Sequence, residues 1–126
     1  MTDWKPTNYP SVSPYLICQD PDQVIAFLTA VFGASLVRRI DRPDGSFMHG
    51  EIHIDDSIVM LSGGATEHKS SEVHLHVYVT DAQAVFDRAL ALGAVAIQAP
   101  VRKDADDDLR GGFCDPAGHI WWVATQ

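Results

Sequence analysis

Cysteine is scarce: Cys18 and Cys114 are the only two in 126 residues, and no C-x-x-C occurs. Two such thiols make neither a disulfide framework nor a zinc pattern, so both are expected as free thiols in strands. Long apolar runs are missing as well. The longest, such as Val24–Phe27 and Ile120–Val123, fall far short of the ~20 residues that span a bilayer, and the first ten residues are polar. Positive charge is thin, with nine Lys and Arg against seventeen Asp and Glu and a formal net charge of −8. Such a field repels phosphates and anionic lipid, so neither a nucleic-acid nor a membrane partner is expected, and a neutral or cationic small molecule is easier to accept. No G-x-S-x-G, phosphate loop, G-x-G-x-x-G or reactive-cysteine signature is present, and Gly63-Gly64 has no Lys-Ser/Thr sequel. The expectation is a soluble, cytoplasmic protein of one domain, residues 1–126.

What is there is a repeat. Asp20-Pro21-Asp22-Gln23 and Thr80-Asp81-Ala82-Gln83 each offer a helix N-cap with Gln three positions on, and Pro21 suits a first helical position. Apolar residues then recur at helical spacing from Val24 to Phe32 and from Val85 to Leu92, and each stretch stops at Gly-Ala. The matching positions lie 60 residues apart, which implies a duplicated unit. Strand-like segments flank each helix in the same order. Ser13–Gln19 precedes the first, with Leu36–Asp41, Phe47–Ile54 and Ile58–Ser62 after it. Val73–Val79 precedes the second, with Val95–Val101, Gly111–Cys114 and Ile120–Thr125 after it. The reading is an α+β chain of two βαβββ modules, about 13–62 and about 72–125, joined by a Gly, Ser and charge-rich linker at 63–71. Neither half is large enough to be stable alone, so the two should share a core.

Strand alternation sorts the side chains by face. Val73, Leu75, Val77 and Val79 should pack under a helix, leaving His74, His76 and Tyr78 opposite. Met48, Gly50, Ile52 and Ile54 form another apolar face, leaving His49, Glu51 and His53 opposite. These two His-x-His arrangements can converge on one ion, because side chains two apart on a strand start about 6.6–6.8 Å from one another. A solvated sheet face explains His49, Glu51 and His53 equally well. His68 falls in the linker. Trp121 and Trp122 must point to opposite faces.

The βαβββ duplication, Phe32-Gly33-Ala34 closing the first helix, and Asp115-Pro116-x-Gly118-His119-x-Trp121 near the C-terminus together resemble the vicinal oxygen chelate superfamily. That superfamily includes glyoxalase I, extradiol dioxygenases, fosfomycin-resistance enzymes and bleomycin-resistance proteins. The resemblance covers Ser13 to Thr125 and implies that the two modules curl a mixed sheet into a cup with the helices outside. It implies a homodimer, and a structural role for His119 in the closing turn. Members that use a metal place ligands at four cup-facing positions, which here fall on Ser13, Met60, His74 and Trp122. Only His74 is a good ligand for a divalent ion, so no cofactor is expected.

Met60 and Trp122, with Tyr15, Ile17 and Tyr78 on the same faces, would instead line a pocket for a flat aromatic or cationic ligand that His74 and His76 orient. The expected function is therefore small-molecule binding. The alternative is a lyase, isomerase or dioxygenase using zinc, nickel, manganese or iron held by His74 with His76, or by His49, Glu51 and His53. An inert interaction protein whose aromatics fill the cup is a third possibility. The acidic run Asp104, Asp106, Asp107 and Asp108 reads either as a solvated loop or as a cation-attracting rim. The family pattern often has Gly-Asp-Arg near there; here Leu109 takes the Arg place and Arg110 lies one position on. The N-terminal segment, with Trp4 and Tyr9, is placed to pack on the cup or on a partner.

Overall fold

The computed structural model describes residues 4–63 and 72–126. The first module runs β1 (Tyr15–Cys18), α1 (Pro21–Phe32), β2 (Ser35–Asp41), β3 (Phe47–Ile54) and β4 (Ser57–Gly63). The second runs β5 (His74–Tyr78), α2 (Ala82–Ala91), β6 (Val95–Val101), β7 (Leu109–Cys114) and β8 (Ile120–Thr125). Two mixed four-stranded sheets result, in the orders β1-β4-β3-β2 and β5-β8-β7-β6. In each, the first strand pairs parallel to the last and the other pairs are antiparallel. Apart from Gly63, which closes β4, the expected linker and His68 lie outside the described residues.

Local chemistry accounts for the helix ends. The Asp20 side chain accepts from Gln23 N, Pro21 opens α1, and Gly33 ends it at φ +70°, a left-handed conformation that glycine adopts without strain. The second cap is Asp81, whose side chain accepts from Ala84 N, and not Thr80 one residue earlier. Gln83 does not return to the cap; it donates to Asp87. No basic residue stands in the last turn of α1. That role falls to Arg88 of α2, whose Nε donates to the Val31 carbonyl at 3.2 Å.

Among the differences from the sequence reading, three bear on the sheet faces. Strand β1 starts at Tyr15, so Ser13 stands outside it; the ladder extends only to the Pro14 carbonyl, which accepts from Met60 N at 2.9 Å. A register shift between Ile40 and Asp41, opposite Phe47–His49, puts Phe47 in the core and leaves Met48 exposed, reversing the expected alternation there. The Phe47 ring lies where a Cβ on Gly50 would stand, so that close approach requires glycine. Strand β7 starts at Leu109, two residues early, which carries Arg110 onto a sheet face.

One hydrophobic core joins the modules. It includes Val24, Leu28 and Val31 of α1, Val85, Phe86 and Ala89 of α2, and Leu16, Ile52, Leu61, Phe113, Trp121 and Val123 of the sheets. The Phe32 ring lies 5.2 Å from Trp121 and 6.3 Å from Phe113, and Phe27 meets Phe113 at 6.1 Å. Helix α1 thus packs on the second module as well as on its own sheet. Both sheets turn their helix-bearing faces toward this common core, and the faces carrying the strand histidines point away from it.

The closing turn is held by a buried carboxylate. Asp115 accepts from Ala117 N, His119 N, Trp121 Nε1 at 2.8 Å and His119 Nδ1 at 3.1 Å, with His119 fully buried. Burial pushes the Asp115 carboxyl up, but the bonds from His119 and Trp121 outweigh it and hold the group below the ordinary carboxylate range. Its stabilising contribution is therefore present above the unfolded pKa of about 3.9, and is lost as pH falls through the lower native value. Asp115→Ala, which removes the acceptor shared by two backbone and two side-chain N–H groups, is expected to cost about 3 kcal/mol in urea denaturation, and Asp115→Asn to flatten the acid limb of the stability profile.

Candidate functional site

Register builds two histidine-bearing faces. On the first sheet Tyr15, Met60 and Glu51 stand in one row and Ile17, Ser62 and His49 in the next. On the second, His76, Trp122, Gly112 and Gln98 share a row, flanked by the row of Tyr78, Ala124, Arg110 and Val101. The structure therefore brings Tyr15 and Met60 together on one face, and His74, His76, Tyr78 and Trp122 on the other. Among the described residues no hydrogen bond, ion pair or ring contact joins the two faces within the chain. Tyr15 and Tyr78 are 53% and 65% exposed, so neither face is filled.

On the second face the donors and acceptors are matched. The Trp122 indole lies nearly parallel to His74, at 10° with centroids 6.3 Å apart, and its Nε1 donates to His74 Nδ1 at 3.0 Å. An indole N–H can only donate, so Nδ1 is the unprotonated nitrogen and the Nε2 proton points toward Glu72 at 3.3 Å. The same logic fixes His76, whose Nε2 accepts from Arg110 Nε at 3.1 Å. Arg110 is further held by Asp108 at 3.2 Å and Asp107 at 3.4 Å, and Tyr78 donates to Asp108 at 2.9 Å. That bond, to a charged acceptor, raises the Tyr78 phenol above its usual range. The acidic run is thus partly a neutralised brace for Arg110. Beside Trp122 opens a cavity of about 260 Å³ lined by Gln98, Val101, Lys103, Asp107 and Arg110. A larger groove of about 710 Å³ lies between the end of α1 and β5, with Tyr78 in its lining.

The first face is partly covered. Tyr9 of the N-terminal segment donates to Glu51, which also accepts from His49 Nε2 at 2.7 Å and is only 4% exposed, so Glu51 is not on a solvated sheet face. Burial raises the Glu51 carboxyl, yet the bonds from Tyr9 and His49 leave it below its ordinary value. Tyr15 Oη lies 3.4 Å from His49 Nδ1. His53 sits farther along β3, outside these contacts.

A divalent ion does not fit these residues. Of the four positions implied by resemblance, Met60 offers a thioether, Trp122 an indole, and Ser13 lies outside its strand, while the His74 lone pair is engaged by Trp122. Among the described residues no three His, Cys, Asp or Glu side chains converge on a point. His74 with His76 falls short, and so does the His49, Glu51, His53 set. Nucleophilic cysteine is no better supported: Cys18 and Cys114 are free, and burial pushes the first to about 12 and raises the second.

Residues 14–124 match the family described as glyoxalase-like domain. The chain belongs to that family. An uncharacterized protein of Mycobacterium bovis is 33% identical over 123 residues, covering 89% of this chain and 80% of its own length. An uncharacterized protein of Mycobacterium tuberculosis strain H37Rv matches at the same identity, with 72% of its length covered. Among solved structures, TioX from Micromonospora sp. ML1 superposes with a TM-score of 0.72 at 23% identity, covering 93% of this chain and 96% of TioX. The fosfomycin resistance protein FosX from Listeria monocytogenes gives 0.73 at 15% identity, covering 93% of each chain. Glyoxalase I from Zea mays gives 0.74 at 18%, covering 89% of this chain and 43% of the maize enzyme. These structures share the fold of this glyoxalase-like chain, and the superfamily resemblance read from its sequence holds. No helix of the described residues is long and apolar enough to cross a membrane.

Sequence reasoning missed Arg110, Lys103 and Gln98 as neighbours of Trp122. The signal was present: with Gln98 placed on β6, a β7 that extends back to Leu109 puts Arg110 on the same face. Gly112 is the position to test. A Cβ there would stand 2.7 Å from two Trp122 ring atoms, so Gly112→Ala should dislodge the indole from His74. The expected result is a shifted tryptophan emission with far-UV circular dichroism unchanged.

Proposed function

We propose that this glyoxalase-like chain binds a flat aromatic small molecule without a metal ion, in a cup that a second copy of the chain completes. The observation that carries this reading is Trp122. Its indole stands on an open face over glycine, held by His74 and bordered by a cavity with hydrogen-bonding groups on its rim. Such a surface offers stacking with polar groups to fix orientation. His74, His76 and Tyr78 stand beside Trp122 on one wall, and Tyr15 and Met60, on the other face, supply the opposing wall when two chains meet.

The same geometry supports a homodimer. Two half-cups that face outward cannot enclose a ligand within one chain, and β1 and β5, which carry Tyr15 and the histidine pair, are both edge strands with a free side. Apolar residues left exposed at Tyr15, Tyr78, Leu36, Val95 and Ile97 would be covered in part by association.

Tryptophan fluorescence titrated with naphthalene and indole derivatives, neutral and charged, tests the site. Trp122→Ala is expected to weaken a true ligand by about 1–3 kcal/mol, without the about 3–5 kcal/mol stability loss of a truncated core tryptophan. Sedimentation velocity should give a dimer. A monomer together with emission that no compound perturbs would return the chain to the inert-protein reading.

A further inference from the structure

We propose that Tyr15, His49 and Glu51 form a metal-independent proton-transfer site acting on an aryl-substituted carbonyl compound that enolises. Glu51 motivates it. Among the described residues only three polar or charged side chains are buried, and the other two, Asp115 and His119, close the last turn. Burying a carboxylate is costly, and a solvated sheet face needs none there. This carboxylate accepts from Tyr9 on one oxygen and holds His49 with the other: Nε2 lies 2.7 Å from Glu51 and carries the proton, which leaves the Nδ1 lone pair directed at the Tyr15 hydroxyl 3.4 Å away. The two rings meet edge to face, 75° between planes and 5.7 Å between centroids. A half-exposed hydroxyl, an imidazole and a buried carboxylate in that order form a nucleophile or acid–base group, its base, and the base's orienting partner. Contacts of this kind shorten when substrate binds.

The chemistry balances without oxidant or metal. His49 Nδ1 takes the phenolic proton, and the Tyr15 oxygen takes a proton from the carbon next to the substrate carbonyl. The C–H electron pair becomes the C=C bond, the carbonyl π pair moves to oxygen, and Nδ1–H delivers its proton there. Keto form becomes enol, and Tyr15 and His49 end as they began. Glu51 stays ionised throughout and stabilises the transient imidazolium. Tyr15 and His49 are the catalytic residues, and Glu51 is a positioning residue.

The substrate class rests on the stacking cup proposed above. An aryl group suits Trp122, beside which the cavity is lined by Lys103 and by the paired Arg110 and Asp107.

Phenylpyruvate carries both the aryl group and an enolisable carbonyl, so it is the probe. In D2O, wild-type protein is expected to exchange its benzylic protons faster than buffer, read by proton NMR. Tyr15→Phe and His49→Gln should each lose at least about 100-fold of that excess, in kcat and not in KM. Glu51→Gln should lose a similar share, with part restored by Glu51→Asp, which a merely structural Glu51 would not do. Exchange no faster than buffer, or undiminished in the well-exposed Tyr15→Phe, overturns the proposal. Fluorescence separates the two readings. Trp122-dependent quenching by phenylpyruvate without exchange sinks proton transfer and keeps the binding site. Tyr15-dependent exchange that survives Trp122→Ala sinks the stacking cup and keeps proton transfer.

Discussion

The packing of Phe32 and Phe27 of the first module against Phe113 and Trp121 of the second is the contact on which the rest of the molecule depends. Each aromatic pair is worth about 0.5–1.5 kcal/mol beyond the area it buries, and the cluster sits at the join of two units too small to stand alone. Because it ties helix-side face to helix-side face, it also decides which way everything else points. Both histidine-bearing faces are left outward, half-exposed and free to be shaped by ligand chemistry instead of core packing. Asp115 secures one end of this arrangement by fixing Trp121 in its ring plane through the indole N–H.

Much of the fold was legible because duplication reports itself in spacing. A cap, an apolar helical stripe and a Gly-Ala stop recurring at one interval leave little freedom in architecture, and α1, β3, β6 and β8 fall where periodicity puts them. The misses share a physical origin. The register shift at Met48 and the early start of β7 at Leu109 are set by pairing with a neighbouring strand, which no local pattern encodes. Thr80 and Asp81 are both good caps, and the bonds from Ala84 N to the Asp81 carboxylate and from Ala82 N to Thr125 Oγ1 show where the first helical residue stands. The site was half legible. Alternation placed His74, His76, Tyr78 and Trp122 on one face. It could not show that an indole and a guanidinium already occupy the histidine lone pairs, because those partners stand 48 and 34 residues away in the chain.

The two faces have diverged from a common plan. On the second, an indole and a guanidinium donate to the two histidines around Trp122. On the first, a buried anion commands a histidine and a tyrosine. A ligand held between them would meet an apolar, ring-binding wall on one side and a hydroxyl backed by an imidazole on the other.

The bond from Arg88 to the Val31 carbonyl has a consequence for inheritance as well as for folding. A duplicated unit begins as two self-sufficient copies, each ending its own helix. Here the first helix has no cation of its own in its last turn and borrows one from the second copy. Once such a loan is established the copies can no longer separate without loss. Recombination that exchanged one half for that of a distant relative would deliver a helix whose last carbonyls face water unaided. The two halves are thereby bound to evolve as a pair.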